Sequence, residues 1–107
     1  MEAQMLDEMN ERMVKNFIDV LIMARLKSSP MSGYDLITFI DRKFQILLSS
    51  GTVYATLYYM ERSGLIEDRK VERKRVWVLT DKGKETIRAI FNSKNKILGF
   101  MVNLFEG

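Results

Sequence analysis

The sequence contains no cysteine and no histidine, and only one proline among its 107 residues. Without cysteine there are no disulfides, thiolate nucleophiles or zinc ribbons, and without histidine there is no Ser–His dyad or imidazole metal site. The adjacent carboxylates Asp7-Glu8 and Glu67-Asp68 point in different directions, because neighbouring residues of a helix or strand diverge. We therefore expect a protein that is not an enzyme and that uses no cofactor or metal.

Long hydrophobic runs are also missing. The longest uncharged stretch, residues 44–60, contains serine, threonine, glycine and glutamine, whereas a membrane-spanning helix needs about 20 mostly apolar residues. The first ten residues are acidic and have no basic side chain, unlike a secretory signal. We expect a cytoplasmic protein with no membrane contact.

Apolar residues recur at three- and four-residue steps through the first sixty residues, which predicts helices. The expected helices are Met1–Lys27, Ser32–Phe44 and Ser50–Ser63. Pro30 ends the first of them, because the residue before a proline is driven out of the helical region. The second and third are short and separated by only a few residues, which is the outline of a helix-turn-helix.

After Gly64, a residue suited to a left-handed helix cap, the pattern changes to two strands around a charged tip and then to a helix from Asp81 to Phe105. This order predicts a mainly α fold with a small β-hairpin, a winged helix-turn-helix followed by a long C-terminal dimerisation helix. The expected division is residues 1–80 for the winged unit and 81–107 for the C-terminal helix. Trp77 is expected to pack in the core under the hairpin, and stacking on a ligand is the alternative.

In a winged helix the helix after the turn enters the major groove of DNA. Val53, Leu57 and Met60 define its inner side, so Thr52 and Tyr58 are among the residues that face outward. No charged residue lies between Lys43 and Glu61, so this helix supplies little electrostatic affinity.

Positive charge is concentrated later in the chain. Residues 61–75 hold six basic and four acidic residues, whereas the first sixty hold six and seven. A hairpin tip with Lys70, Arg73 and Lys74 suits contact with phosphates, although the same residues could simply keep an exposed edge soluble.

The C-terminal helix is apolar over a broad face, more than one small domain can bury. The methionines of the first helix have helical spacing and suit core or dimer packing. The predicted dimer interface consists of Met5, Met9, Met13, Ile87, Phe91, Lys94, Leu98, Met101 and Phe105.

Over roughly residues 20–90 the chain resembles the PadR family of transcriptional regulators. The resemblance is carried by Gly33-Tyr34-Asp35-Leu36-Ile37, Ser50-Gly51-Thr52-Val53-Tyr54, Gly64-Leu65-Ile66 and Leu79-Thr80-Asp81-Lys82-Gly83. It implies a dimeric winged-helix DNA-binding protein, usually a repressor, whose C-terminal helix exchanges contacts with the partner. It also implies effectors that are often planar aromatic compounds bound near the dimer interface.

The sequence departs from the family pattern in places. Ala55 stands where proline is common, and Tyr59 stands where arginine is common, which removes a base from the DNA-facing helix.

We therefore expect a homodimer bound to a pseudo-palindromic operator. Tyr54 is expected partly to pack and partly to reach the DNA backbone. The predicted DNA-contacting residues are Tyr34, Ser50, Thr52, Tyr54, Tyr58, Arg62, Lys70, Arg73, Lys74 and Arg75. Two alternatives stay open: a winged-helix protein-interaction module without DNA binding, and a sensor whose small aromatic ligand lies between the N- and C-terminal helices.

Overall fold

Six helices and one β-hairpin follow one another along the chain in a computed structural model that describes residues 1–107. The predicted fold class, a winged helix-turn-helix with a C-terminal helical extension, is confirmed. The elements are α1 (Glu2–Asn16), α2 (Ile18–Leu26), α3 (Gly33–Phe44), α4 (Ser50–Arg62), β1 (Ile66–Val71), β2 (Lys74–Leu79), α5 (Asp81–Asn92) and α6 (Lys94–Glu106).

A side-chain hydroxyl caps the N-terminus of each of α3, α4 and α5. The Ser32 Oγ accepts a hydrogen bond from the Asp35 N–H at 3.0 Å, and the Asp35 carboxylate accepts one from the Ser32 N–H at 3.2 Å, which completes a capping box. Ser49 caps α4, and Thr80 caps α5. These caps fix where the helices of the winged unit begin.

Gly64 ends α4, as the sequence predicts. Its φ of 77° is the left-handed conformation that glycine adopts without strain. The Leu65 N–H donates to the Met60 carbonyl at 2.9 Å, the long hydrogen bond of a Schellman motif. The chain thereby turns directly from α4 into β1.

Two long helices of the sequence prediction are each broken in the structure. The first is interrupted at Phe17 (φ −115°, ψ 27°) and the last at Ser93 (φ −99°, ψ 7°). Each break follows an asparagine, Asn16 or Asn92, a weak helix former whose side chain competes for backbone hydrogen bonds. The continuous helices expected over 1–27 and 81–105 are therefore wrong in this detail.

The hairpin is a two-stranded antiparallel sheet with Ile66 paired to Leu79 and Val71 to Lys74. A two-residue turn joins its strands, and Glu72 in that turn has a φ of 59°. Met31, just before α3, exchanges backbone hydrogen bonds with Trp77 at 2.8 and 3.3 Å. The hairpin is thus attached along one edge to the segment that leads into α3.

The core lies where α2, α3, α4, the hairpin and α5 meet. Trp77 is 1% exposed, which confirms its predicted core position. Ile87 of α5 belongs to the same core, so α5 completes the packing of the winged unit; the division at residue 80 stays a prediction. None of the six helices combines the length and hydrophobicity that crossing a bilayer requires.

Candidate nucleic-acid interface

The outer face of α4 is open to solvent, as its periodicity predicts. Val53, Leu57 and Met60 are fully buried, whereas Thr52 and Tyr58 are exposed. Ser50 and Arg62, at the two ends of the helix, are exposed as well. The face therefore presents hydroxyls along its length and one guanidinium at its C-terminal end, groups that can bond to base edges or phosphates.

Tyr54 is half-buried because its ring lies on the first turn of α3. A Cβ atom placed on Gly33 would lie 2.5 Å from Tyr54 Cζ and 2.6 Å from its hydroxyl oxygen. Glycine at position 33 is therefore what admits the tyrosine. This contact fixes the packing of α3 against α4, while Tyr34 beside it is 73% exposed.

An aromatic stack joins α4 to the hairpin. The Tyr58 and Trp77 ring centroids are 6.1 Å apart, edge to face, and the Tyr54 and Tyr58 centroids are 6.2 Å apart. The Arg75 guanidinium lies 4.6 Å from the Trp77 centroid and 5.6 Å from that of Tyr58, within the range of cation–π attraction. The hairpin is thus held at a defined position beside α4.

Two of the four predicted phosphate-binding cations of the hairpin form ion pairs with carboxylates. Lys74 Nζ lies 3.0 Å from an Asp35 oxygen, and Arg75 Nε donates to Asp68 at 3.0 Å. Lys70 and Arg73 form no ion pair and are exposed. Exposed ion pairs contribute little stability, so a phosphate could displace these carboxylates, but Lys70 and Arg73 are the cations that meet no such competition.

Asp35 has two roles, neither of which the sequence prediction assigned. Its carboxylate caps α3 and binds Lys74 of the hairpin. The hydrogen bond from Lys74 is the main reason that the pKa of the Asp35 carboxyl lies below its usual value; partial burial opposes this effect, and the hydrogen bonds to Ser32 add to it. The spacing from Ser32 to Asp35 was the signal for the cap, but no local pattern indicates the bond to Lys74.

The predicted dimer residues fall into two groups. Ile87 is 4% exposed and belongs to the core, and it also lines the apolar groove formed by α2, α5 and α6, so its place in the interface stays a prediction. Phe91, Leu98 and Phe105 are 56%, 56% and 71% exposed, and Met5 and Met13 are also exposed. Met9 and Met101 are half-buried, and Lys94 is exposed.

A cleft of about 490 Å³ lies between the hairpin, the end of α2 and α5. Lys27, Arg69, Lys84 and Arg88 line it together with an apolar wall that includes Val78 and Phe91, and no carboxylate lines it. These residues come from three segments that are distant along the chain, so no local pattern indicates the cleft. Cations over an apolar wall suit an aromatic or aliphatic molecule that carries a negative charge.

Comparison with known proteins supports the geometric interpretation. The family model of the PadR-like transcriptional regulators matches residues 22–89. A PadR-like regulator from Bacillus cereus superimposes with a TM-score of 0.76 at 24% identity, over 90% of this chain and 98% of that one.

Two structures of PadR from Bacillus subtilis are also similar. The complex with operator DNA gives a TM-score of 0.62 at 20% identity, over 69% of this chain and 46% of that one. The complex with p-coumaric acid gives 0.58 at 24% identity, over 76% and 42%. No curated protein has a sequence that matches this one.

Proposed function

The chain belongs to the PadR-like family of transcriptional regulators, and from this premise we propose that it is a homodimeric repressor of a pseudo-palindromic operator. It is a DNA-binding regulator and not an enzyme. The observation that carries the proposal is the exposed, uncharged face of α4 beside a hairpin whose Lys70 and Arg73 are free of acidic partners. We also propose that the protein acts in the cytoplasm, where it meets its operator DNA.

In the proposed complex α4 lies in the major groove and the hairpin follows the backbone. Thr52 and Tyr58 are exposed on α4. Their hydroxyl oxygens accept hydrogen bonds from Ser49 Oγ at 2.8 Å and from Arg75 Nη1 at 3.5 Å, which leaves their O–H groups to donate to base edges, whose donors and acceptors differ between base pairs in that groove. Lys70 and Arg73 would bind phosphates, which set the position of the protein but carry no sequence information.

The homodimer is proposed because α5 and α6 expose an extensive apolar surface. Phe91, Leu98, Phe100, Leu104 and Phe105 are each more than half exposed, and a contiguous patch of this kind exceeds what monomeric proteins usually leave in water. Two copies related by a two-fold axis would present their α4 helices to half-sites about one helical turn apart.

We further propose that a small aromatic effector bearing a carboxylate releases the repressor by binding in the cleft of Lys27, Arg69, Lys84 and Arg88. The similarity to Bacillus subtilis PadR with p-coumaric acid supports this class of ligand. A thermal-shift comparison tests it: 2-naphthoate is expected to raise Tm at millimolar concentration, and the neutral 2-naphthamide is not. Equal shifts from both compounds would show that the cations do not contribute, and would contradict the assignment.

DNA binding itself is tested by salt titrations of the wild type and of Lys70→Ala/Arg73→Ala. Each neutralised phosphate contributes roughly 0.9 to the slope of log K against log salt concentration. The double variant removes two cations from each subunit of the dimer, so it is expected to reduce that slope by about 3.6. Adding Lys74→Ala should reduce it by less than about 1.8 more for the dimer, because Asp35 competes for Lys74.

The matched control is Arg12→Ala/Lys96→Ala, which removes two exposed cations outside both the proposed interface and the effector cleft and should leave the slope nearly unchanged. A wild type that fails to prefer its own promoter DNA at physiological salt would instead favour the protein-interaction module. An unchanged slope in Lys70→Ala/Arg73→Ala would show that these hairpin cations do not bind DNA phosphates.

A further inference from the structure

We infer that a second phosphate-binding site lies on the outer side of α3, where Arg25, Arg42 and Lys43 hold the DNA backbone beyond the hairpin. This inference rests on the proposed DNA binding and extends it to three cations that neither the sequence prediction nor the comparisons assign. The site is the α3 groove, lined by Arg25, Met31, Tyr34, Asp35, Thr38, Phe39, Arg42 and Lys43, with a volume of about 680 Å³.

The interface described so far contains few cations that are free to bind phosphates. The α4 helix has no charge from Ser50 to Met60, and ion pairs engage Arg69, Lys74 and Arg75 of the hairpin. Lys70 and Arg73, together with Arg62 at the end of α4, would release about three counterions per subunit. Proteins that bind duplex DNA draw much of their affinity from phosphate contacts, so further cations should border this surface.

Positive charge exceeds negative charge in the α3 groove. Arg25, Arg42 and Lys43 have no ion-pair partner. The one carboxylate that lines the groove, Asp35, already accepts the hydrogen bond of Lys74 at 3.0 Å. Three cations therefore share one groove with no acid left to neutralise them, which is a favourable environment for an anionic strand.

The Arg25 side chain is held in place by stacking on an aromatic ring. Its guanidinium lies 4.5 Å from the centroid of the Phe39 ring, and Lys43 Nζ lies 5.7 Å from the same centroid. Arg25 Nε is buried and has no hydrogen-bond partner. Buried donors are nearly always paired, and a guanidinium held by stacking loses little freedom when it binds a phosphate. The Arg25 guanidinium is thus already ordered before a phosphate binds.

The α3 groove begins next to the hairpin. The Asp35–Lys74 ion pair places one end of the groove next to the hairpin turn. From there Tyr34, Thr38 and Arg42 follow at four-residue steps, so they lie along one face of α3 and span about 12 Å. A strand that passes the hairpin tip can therefore continue along α3, with hydroxyls at Tyr34 and Thr38 before it reaches the cations.

The test compares two double variants that remove equal charge. Arg42→Ala/Lys43→Ala and Arg12→Ala/Lys96→Ala each remove two cations from exposed helical positions, so they change the net charge identically. Salt titrations are made with the promoter duplex and with a scrambled duplex. We expect Arg42→Ala/Lys43→Ala to lower the slope by about 3.6 for the dimer and to weaken both duplexes by a similar factor, and the control to change neither.

The outcomes separate this inference from the proposed function. If Lys70→Ala/Arg73→Ala reduces the slope while Arg42→Ala/Lys43→Ala behaves like the control, the α3 groove is not part of the interface although the protein binds DNA. If the wild type binds no DNA, the proposed function itself fails. Should the alanine pair fold poorly by circular dichroism, Arg42→Gln/Lys43→Gln removes the same charges with less loss of side chain.

Discussion

Replacing Gly83 with alanine is expected to lower the free energy of unfolding by roughly 3 kcal/mol and Tm by roughly 15 °C. Gly83 lies in the first turn of α5, directly against the backbone that precedes β1. An added Cβ would overlap the Leu65 carbonyl oxygen and approach Leu79 Cδ2 to 3.0 Å. The Leu65 carbonyl also accepts a hydrogen bond from the Thr80 N–H at 3.1 Å, so the clash meets fixed backbone rather than a side chain that can move.

Gly51→Ala is the control for this prediction. Gly51 is also in the first turn of a helix, α4, but a Cβ there would meet no atom within 4 Å. Alanine favours the helix and restricts the unfolded chain, so unfolding should become harder by up to about 1 kcal/mol. Denaturant titration followed by circular dichroism measures both. A Gly83→Ala protein as stable as the wild type would mean that α5 does not pack as closely as described.

The second large effect concerns assembly. Leu98→Glu should raise the dimer dissociation constant at least about 100-fold, because burying a leucine contributes about 1.5–3 kcal/mol and a two-fold axis repeats the change in both subunits. Leu98 is 56% exposed on α6, beside an apolar groove that Val20, Ala24, Ile90 and Ile97 also line. In a monomer the new carboxylate stays in water, so the fold should be kept.

Sedimentation equilibrium at micromolar concentration measures this change, and DNA titration should show weaker binding because one α4 helix replaces two. Asn103→Glu is the matched control: it adds the same side chain and the same charge to the side of α6 away from Leu98, and should leave the dimer intact. A wild type that sediments as a well-folded monomer would contradict the proposed homodimer.

Much of the fold could be predicted from sequence because its signals are local. Ser32 and Thr80 mark helix starts, Gly64 marks a helix end, and the alternation around Trp77 marks a buried strand. The helix breaks at Phe17 and Ser93 escaped prediction, since the apolar spacing runs through both and backbone hydrogen bonds also continue across them. Breaks of this kind depend on tertiary packing as well as on the preceding asparagines.

The interface was predictable only in part, because some of its contacts join residues that are distant along the chain. The outward face of α4 follows from its periodicity, so the exposure of Thr52 and Tyr58 was foreseeable. The engagement of Lys74 was not, because Asp35 lies 39 residues away along the chain. The α3 groove combines residues of α2 and α3, and its cations look like ordinary solvated side chains until the helices are packed.

The contact between Trp77 and Tyr58 has a practical consequence. Trp77 is the single tryptophan of the chain, and its indole touches one tyrosine of α4 and one guanidinium of the hairpin. Its fluorescence emission is therefore an intrinsic optical signal of hairpin movement relative to α4, readable in the unlabelled protein.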